Sequence, residues 1–273
     1  MEASTVPTSP YDDEFVEEHP LANAPLVRVL AQVRHPSLLA LTGDSANSLA
    51  LRVASSLSEQ FSIFEAARER TIAITPEGVK EADDSGTPIW RLRSDDDNWQ
   101  VSFSSQFLSL ETSRYSGRTD FIRRLKVVLD AYQSQVKPPS AIRIGIRYTN
   151  RISESEDLQR IGELVRRELL GPTATKLPSH TRLGHSISNA QFESGSGGSL
   201  LNWGLVGSRG VFDLMIPPLD KPSWLLDIDV FDTERVPFDT PKLSELAEGL
   251  AKRAYTHFRW AVTEEFLRTY GGQ

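Results

Sequence analysis

Residues Ala141 to Ile152 read AIRIGIRYTNRI. Ile142, Ile144, Ile146 and Tyr148 recur at every second position, and Arg143, Arg147 and Arg151 fall between them with Gly145 and Thr149. Successive side chains of a strand point to opposite faces, so this is a β-strand with one apolar and one cationic face. A second stretch, Leu26 to Arg34, has the same layout. Val27, Val29, Ala31 and Val33 form its apolar side, while Arg28, Gln32 and Arg34 share the other with Leu26 and Leu30. Matching Arg28 to Arg143 sets Val27, Val29, Ala31 and Val33 on Ile142, Ile144, Ile146 and Tyr148.

Outward from these strands the two halves run in parallel. After the first, apolar residues Leu49, Val53, Leu57, Phe61 and Phe64 at three- and four-residue spacing predict a helix over 45–67. Strands are expected at 71–74, 88–93, 99–104 and 107–112, broken by the Asp83-Asp84-Ser85-Gly86 turn and the Asp95 to Asn98 run. A helix over 119–136 follows, stopped by Pro138 and Pro139. After the second strand, a helix is expected over 154–170, ended by Gly171 and Pro172. Strands at 180–193, 201–206, 211–216 and 223–231 come next, and the last helices at 241–266. Each half thus reads strand, helix, about four strands, helix.

This order predicts an α+β protein of two fused, similar units, 25–139 and 140–273, preceded by an arm over 1–24. Two such sheets joined edge to edge form one curved antiparallel sheet with helices on one side. The order is similar to the repeat of the TATA-binding-protein-like fold, which also hosts helix-grip proteins that bind lipids and small molecules. That likeness of topology implies a shape and not a function.

The chain of 273 residues carries a formal net charge of −7. Residues 1–24 hold Glu2, Asp12, Asp13, Glu14, Glu17 and Glu18 and no Lys or Arg, so the body is close to neutral. Neutrality argues against nucleic acid as a partner, which needs a cationic footprint. The arm is rich in Pro, Ser and acid and is expected to be mostly flexible, with Tyr11 and Phe15 as apolar points a partner can capture. Cysteine is absent, which removes disulfides and thiolate chemistry and fits a reducing cytoplasm. No secretory leader and no membrane-spanning apolar run is read.

Motifs with chemistry of their own fail on inspection. Gly195-Ser196-Gly197-Gly198-Ser199 has no Lys-Ser/Thr and leads into a strand, so it reads as a hairpin loop and not a phosphate cradle. Gly43-Asp44-Ser45-Ala46-Asn47 lacks the second glycine of a nucleophile elbow, and Ser45 reads as a helix N-cap. His19, His35, His180, His185 and His257 show no metal-ligand spacing. No catalytic residue, metal or cofactor is assigned. The five tryptophans read as packing residues. Asp227 and Asp229 share one strand face, as partners for arginine or as a cation site.

The arginines carry the functional expectation. Arg28, Arg34, Arg143, Arg147 and Arg151 lie on the two matched strands, and a guanidinium forks onto carboxylate or phosphate. They are candidates for binding an anionic small ligand or an acidic protein partner, the arm itself included. The opposing reading pairs them internally with Glu111, Asp227 and Asp229. The expected function is non-enzymatic binding, with a small-molecule carrier or enzyme holding a cavity between sheet and helices as the alternative.

Three pieces of sequence resemble a sporadically distributed prokaryotic family of proteins of about this length. They are Asn23-Ala24-Pro25-Leu26-Val27, then Leu108-Ser109-Leu110-Glu111-Thr112 with Tyr115 and Phe121, and the signature Arg143 to Ile152. The Phe258 to Phe266 helix extends the likeness over nearly the whole chain after residue 20. Such families usually carry an acid after Pro-Leu-Val, where this chain has Arg28. The resemblance implies accessory biology of the defence or toxin–antitoxin type and carries over no catalytic residues.

Overall fold

The computed structural model describes residues 7–11, 16, 18, 21–43, 45–68, 72–75, 78–81 and 86–271. The arm's Phe15 and the nucleophile-elbow position Asp44 lie outside them. Strand β1 (Leu26–Arg34) is followed by helix α1 (Ala46–Leu57) and strand β2 (Ile63–Arg68). A small hairpin, β3 (Ile72–Thr75) and β4 (Gly78–Glu81), precedes β5 (Pro88–Arg93), β6 (Trp99–Phe103) and β7 (Phe107–Thr112). Helix α2 (Arg118–Val136) and the short β8 (Ser140–Ala141) lead to β9 (Arg143–Ile152). Short helices α3 (Ser155–Gln159) and α4 (Ile161–Leu164) precede β10 (Ser186–Ser194), β11 (Gly197–Val206), β12 (Ser223–Asp232) and β13 (Val236–Pro237). Helices α5 (Thr240–Ala261) and α6 (Glu264–Tyr270) close the chain.

Nine strands form one antiparallel sheet in the order β10-β11-β12-β9-β1-β7-β6-β5-β2. β1 and β9 lie side by side at its centre, with Val29 opposite Tyr148, Ala31 opposite Ile146 and Val33 opposite Ile144. Their apolar side is buried under α1, α2 and α5, through Leu49, Val53, Leu125, Leu129, Leu243 and Ala247. Burial of these side chains contributes roughly 1.5–3 kcal/mol for each large one. Ala247, Ala251 and Ala254, at helical spacing, are nearly inaccessible and allow α5 to lie close over β9 and β12. Asp239 caps α5, its carboxylate accepting from the Lys242 amide at 3.1 Å, and Pro241 stands in the first turn. A second core lies under β12 and α6, and the two meet at Tyr148 and Leu250. Trp90 and Trp224 are fully buried. Among the described residues no helix is long and apolar enough to cross a membrane.

The structure departs from the sequence reading where tertiary contacts outweigh local pattern. The helix expected over 45–67 ends at Leu57, because Ser56 and Ser58 hydroxyls donate back to the Arg52 and Ser55 carbonyls and the chain turns. Ile63–Arg68 then pairs with β5 as an edge strand, so Phe64 is 38% exposed instead of joining a helical core. The helix expected over 154–170 breaks into α3, α4 and a 3-10 turn. Val165 is extended there and bridges Val262, and the Arg166 amide donates to the Ala261 carbonyl at 2.9 Å. β10 begins only at Ser186, so His180 and His185 precede it. The strand expected over 211–216 is a turn, in which the Asp213 carboxylate accepts from the Met215 amide at 2.9 Å.

Gly204 has φ +136°, and a Cβ there meets the Ser186 carbonyl oxygen at 2.0 Å. Gly204→Ala is expected to destabilise the fold by at least about 2 kcal/mol, read as a lower urea midpoint. An unchanged midpoint would show that β10 yields freely.

Candidate functional site

The side of the sheet opposite the helices carries the five candidate arginines. β7 and β12 flank β1 and β9 and bring acids against them. The Arg28 Nε donates to Glu111 Oε2 at 2.6 Å, and its Nη1 reaches Asp213 Oδ2 at 3.2 Å. The Arg147 Nε donates to Asp227 Oδ1 at 2.7 Å, and its Nη1 to Asp213 at 2.9 Å. Arg143 donates to Asp229 at 2.9 Å and lies over the Phe231 ring at 4.7 Å. Gly145 makes room for this, since the Arg143 guanidinium stands 2.8 Å from where a Cβ would project. Arg151 donates to the Pro217 carbonyl at 2.8 Å. Arg34 is the exposed member of the five, at the mouth of a 370 Å³ groove with Gln32 and Arg143.

Asp213 and Pro217 belong to the loop between β11 and β12, which folds over this face. Asp213, 185 residues from Arg28, is the partner that no local pattern announces. Burial alone would lower the Arg147 pKa, but Asp227, Asp213 and Asp229 outweigh it and hold it above its usual value. Burial pushes the Asp229 carboxyl up, against the pull of Arg143 and Arg147. With Glu111, Asp213, Asp227 and Asp229 among its arginines, the face is charge-balanced rather than simply cationic.

A different set of residues surrounds a cavity of about 310 Å³ between the sheet and the helices. Leu26 of β1 and Tyr148 and Asn150 of β9 form its floor. Ala251, Ala254 and Phe258 of α5 form one wall, and Leu21, Ala22 and Ala24 of the arm another. At the polar end stand Ser113, Tyr115 and the start of α2. That helix has Gly117 at its N-cap, with φ +143° and no side-chain cap bond, so this end offers first-turn amides that no N-cap side chain occupies and the positive end of the helix dipole. The Tyr115 and Tyr148 hydroxyls are 3.4 Å apart with rings edge to face. Burial pushes Tyr115 well above its ordinary pKa, reinforced by Tyr148 and Glu18, and pushes Tyr148 up to about 12. Both are therefore protonated donors at neutral pH.

Glu18 of the arm reaches into this polar end. Its carboxylate accepts from Tyr115 at 3.3 Å and pairs with Arg118 Nη2 at 3.3 Å. Arg118 Nη1 is buried and has no hydrogen-bond partner among the described residues. Glu18, the one acid of the arm among the described residues, thus meets Arg118 and not the arginines of the sheet.

A third cluster lies where α5 covers β11. Ser199 and His257 are fully buried, with Ser199 Oγ 2.8 Å from His257 Nε2. His257 Nδ1 lies 2.9 Å from the Arg253 carbonyl, four residues back on the same helix, which makes Nδ1 the protonated nitrogen and Nε2 the acceptor. The Tyr11 hydroxyl donates to Ser199 Oγ at 3.0 Å. Burial pulls the His257 pKa down to about 4. Such an imidazole is a weak base, and Ser199 sits mid-ladder opposite Phe192 and Val230, with its backbone groups in the sheet. Ser45 stands at the N-cap of α1, but its hydroxyl makes no cap bond.

Sequence reasoning missed both interior clusters. Tyr148 reads as one more residue of an apolar face, and Ser199 and His257 lie 58 residues apart. The linear hint is the acidic arm, expected to meet arginine in cis, though on the sheet. A comparison with protein-family models found no match, and a comparison with curated proteins found none either.

Proposed function

We propose that this is a non-enzymatic binding protein that takes a small organic carboxylate, with an apolar body, in the cavity between sheet and helices. The observation that carries the reading is the buried Arg118 Nη1, which has no hydrogen-bond partner among the described residues. It stands beside two protonated tyrosine hydroxyls and an uncapped helix start, at the polar end of an otherwise apolar cavity. Tyr115 donates to Glu18 and Tyr148 to Tyr115, so the donor that wants an acceptor is Arg118, and a carboxylate supplies one. Glu18 fills part of that role. The size lies at the lower end for small-molecule sites.

Octanoate is the probe, with 1-octanol as its neutral counterpart. Calorimetry is expected to show octanoate binding at least about tenfold tighter to Glu18→Gln than to the unaltered chain, since the competing carboxylate is gone. Arg118→Met is expected to abolish binding, and octanol to bind neither. Equal binding of octanoate and octanol to Glu18→Gln would overturn the proposal.

The architecture is part of the same reading. The central antiparallel β1–β9 pair, flanked by β7 and β12, each leading to a long helix, supports two fused units of TATA-binding-protein-like topology. The cavity then lies at their junction, a common place for ligand sites.

A further inference from the structure

The arm touches the body at a second place, independent of the cavity. Pro7 and Pro10 are buried and Tyr11 is half-buried. The Tyr11 amide donates to Ser9 Oγ at 3.1 Å, which folds Pro7-Thr8-Ser9-Pro10-Tyr11 into a compact turn. Both ends of that turn meet matching groups. The Pro7 carbonyl accepts from Arg166 Nη2 at 2.5 Å, and Arg166 in turn lies over the Trp260 ring at 5.6 Å. The Tyr11 ring stands edge-on to His257 at 4.9 Å and against Phe192 at 5.8 Å, with the Arg253 guanidinium 5.4 Å from its centre. Its hydroxyl ends on Ser199. The receiving surface is built by β10, β11, α5 and the segment after α4. It combines an aromatic slot, two cations and a buried hydroxyl–imidazole acceptor at the bottom.

A groove with a deep hydrogen-bonding stop for one tyrosine and a cation for a backbone carbonyl reads a peptide by its shape. Two prolines and a serine-closed turn lower the ordering cost of the occupant. We propose that this groove is a peptide-recognition site, held in cis by residues 7–11, whose partner is a protein segment with two prolines spaced as Pro7 and Pro10 and a tyrosine next. Tethering keeps the internal copy at an effective concentration of order millimolar, so a partner segment binds by exchange.

The test uses the full chain with Tyr11→Ala and a capped synthetic peptide of sequence Thr-Val-Pro-Thr-Ser-Pro-Tyr-Asp, that of residues 5–12. Calorimetry is expected to show the peptide binding the variant at least about tenfold tighter than the unaltered chain. The resonances of the His257 imidazole are expected to move as it binds. Ser199→Ala in the same background, and a peptide with Ala in place of its tyrosine, are each expected to lose most of the affinity. Pro10→Gly serves as a second arm variant if circular dichroism shows that Tyr11→Ala is not folded. Equal affinity for variant and unaltered chain, or for the two peptides, would overturn the proposal. So would no binding to a folded arm variant. A dimer of the unaltered chain that forms on concentration and is undone by the peptide would overturn the partner assignment, giving the groove to the arm of a second copy.

Discussion

Asp227→Ala is expected to lower the free energy of unfolding by about 3–5 kcal/mol. The Asp227 side chain is 1% exposed and accepts three hydrogen bonds: from Arg147 Nε at 2.7 Å, Thr149 Oγ1 at 2.8 Å and Asn202 Nδ2 at 3.1 Å. Removing it strands a fully buried threonine hydroxyl and leaves Arg147 with Asp213 as its ion-pair partner and Asp229 at longer range. Forming a buried pair contributes little net stability, because both ions lose water. Breaking one is costly, because the survivor keeps its desolvation penalty. Asp220 is the control. It pairs with Arg209 at 2.8 Å, but the two side chains are 87% and 82% exposed, so Asp220→Ala is expected to change little. Urea unfolding of both variants, with unchanged dependence on denaturant, measures the difference. Equal midpoints for the two would refute the central role of Asp227.

The second large effect is on pH. His257 is neutral in the fold until about pH 4, whereas an unfolded histidine protonates near its ordinary value of about 6.5. Between these values the unfolded chain binds the extra proton, so stability rises with pH. Stability is therefore expected to be full above about 6.5, to fall as pH drops through the window, and to level off for this group below about 4. A shift of this size corresponds to about 3 kcal/mol. The groups facing His257 are Ser199, Tyr11, Phe192 and Arg253. His35, whose pKa burial also lowers, adds to the same trend elsewhere in the core. His257→Gln isolates the effect: its unfolding free energy is expected to be flatter between pH 6.5 and 4 than that of the unaltered chain. Parallel profiles for the two proteins would sink the assignment.

Elements whose pattern spans several residues were legible in the sequence. β1, β5, β7, β9 and α2 lie where alternation or helical spacing put them, within a residue or two, and α5 begins within a residue of the expected start of the last helices. These segments bury one face along their whole length, so each position repeats the same message. Segments that answer to a single distant partner were not legible. Val165 leaves its helical pattern to bridge Val262, and Asp213 turns inward to reach two arginines. Nothing within a few residues of either records that partner. The interior sites were hidden for the same reason, since Glu18, Tyr115, Arg118 and Tyr148 come from an arm, a loop, a helix start and a strand.

The sequence by itself determined that residues 141–152 form a strand with one apolar and one charged face, and that residues 26–34 form another. Alternation is a local property, and burial of the apolar side follows from it wherever the strand is placed. Only the tertiary structure decided that these two strands are neighbours, that four carboxylates gather among their arginines, and that Tyr148 ends at a cavity. Those outcomes depend on distances between groups far apart in the chain, which packing of the whole sheet and its helices sets.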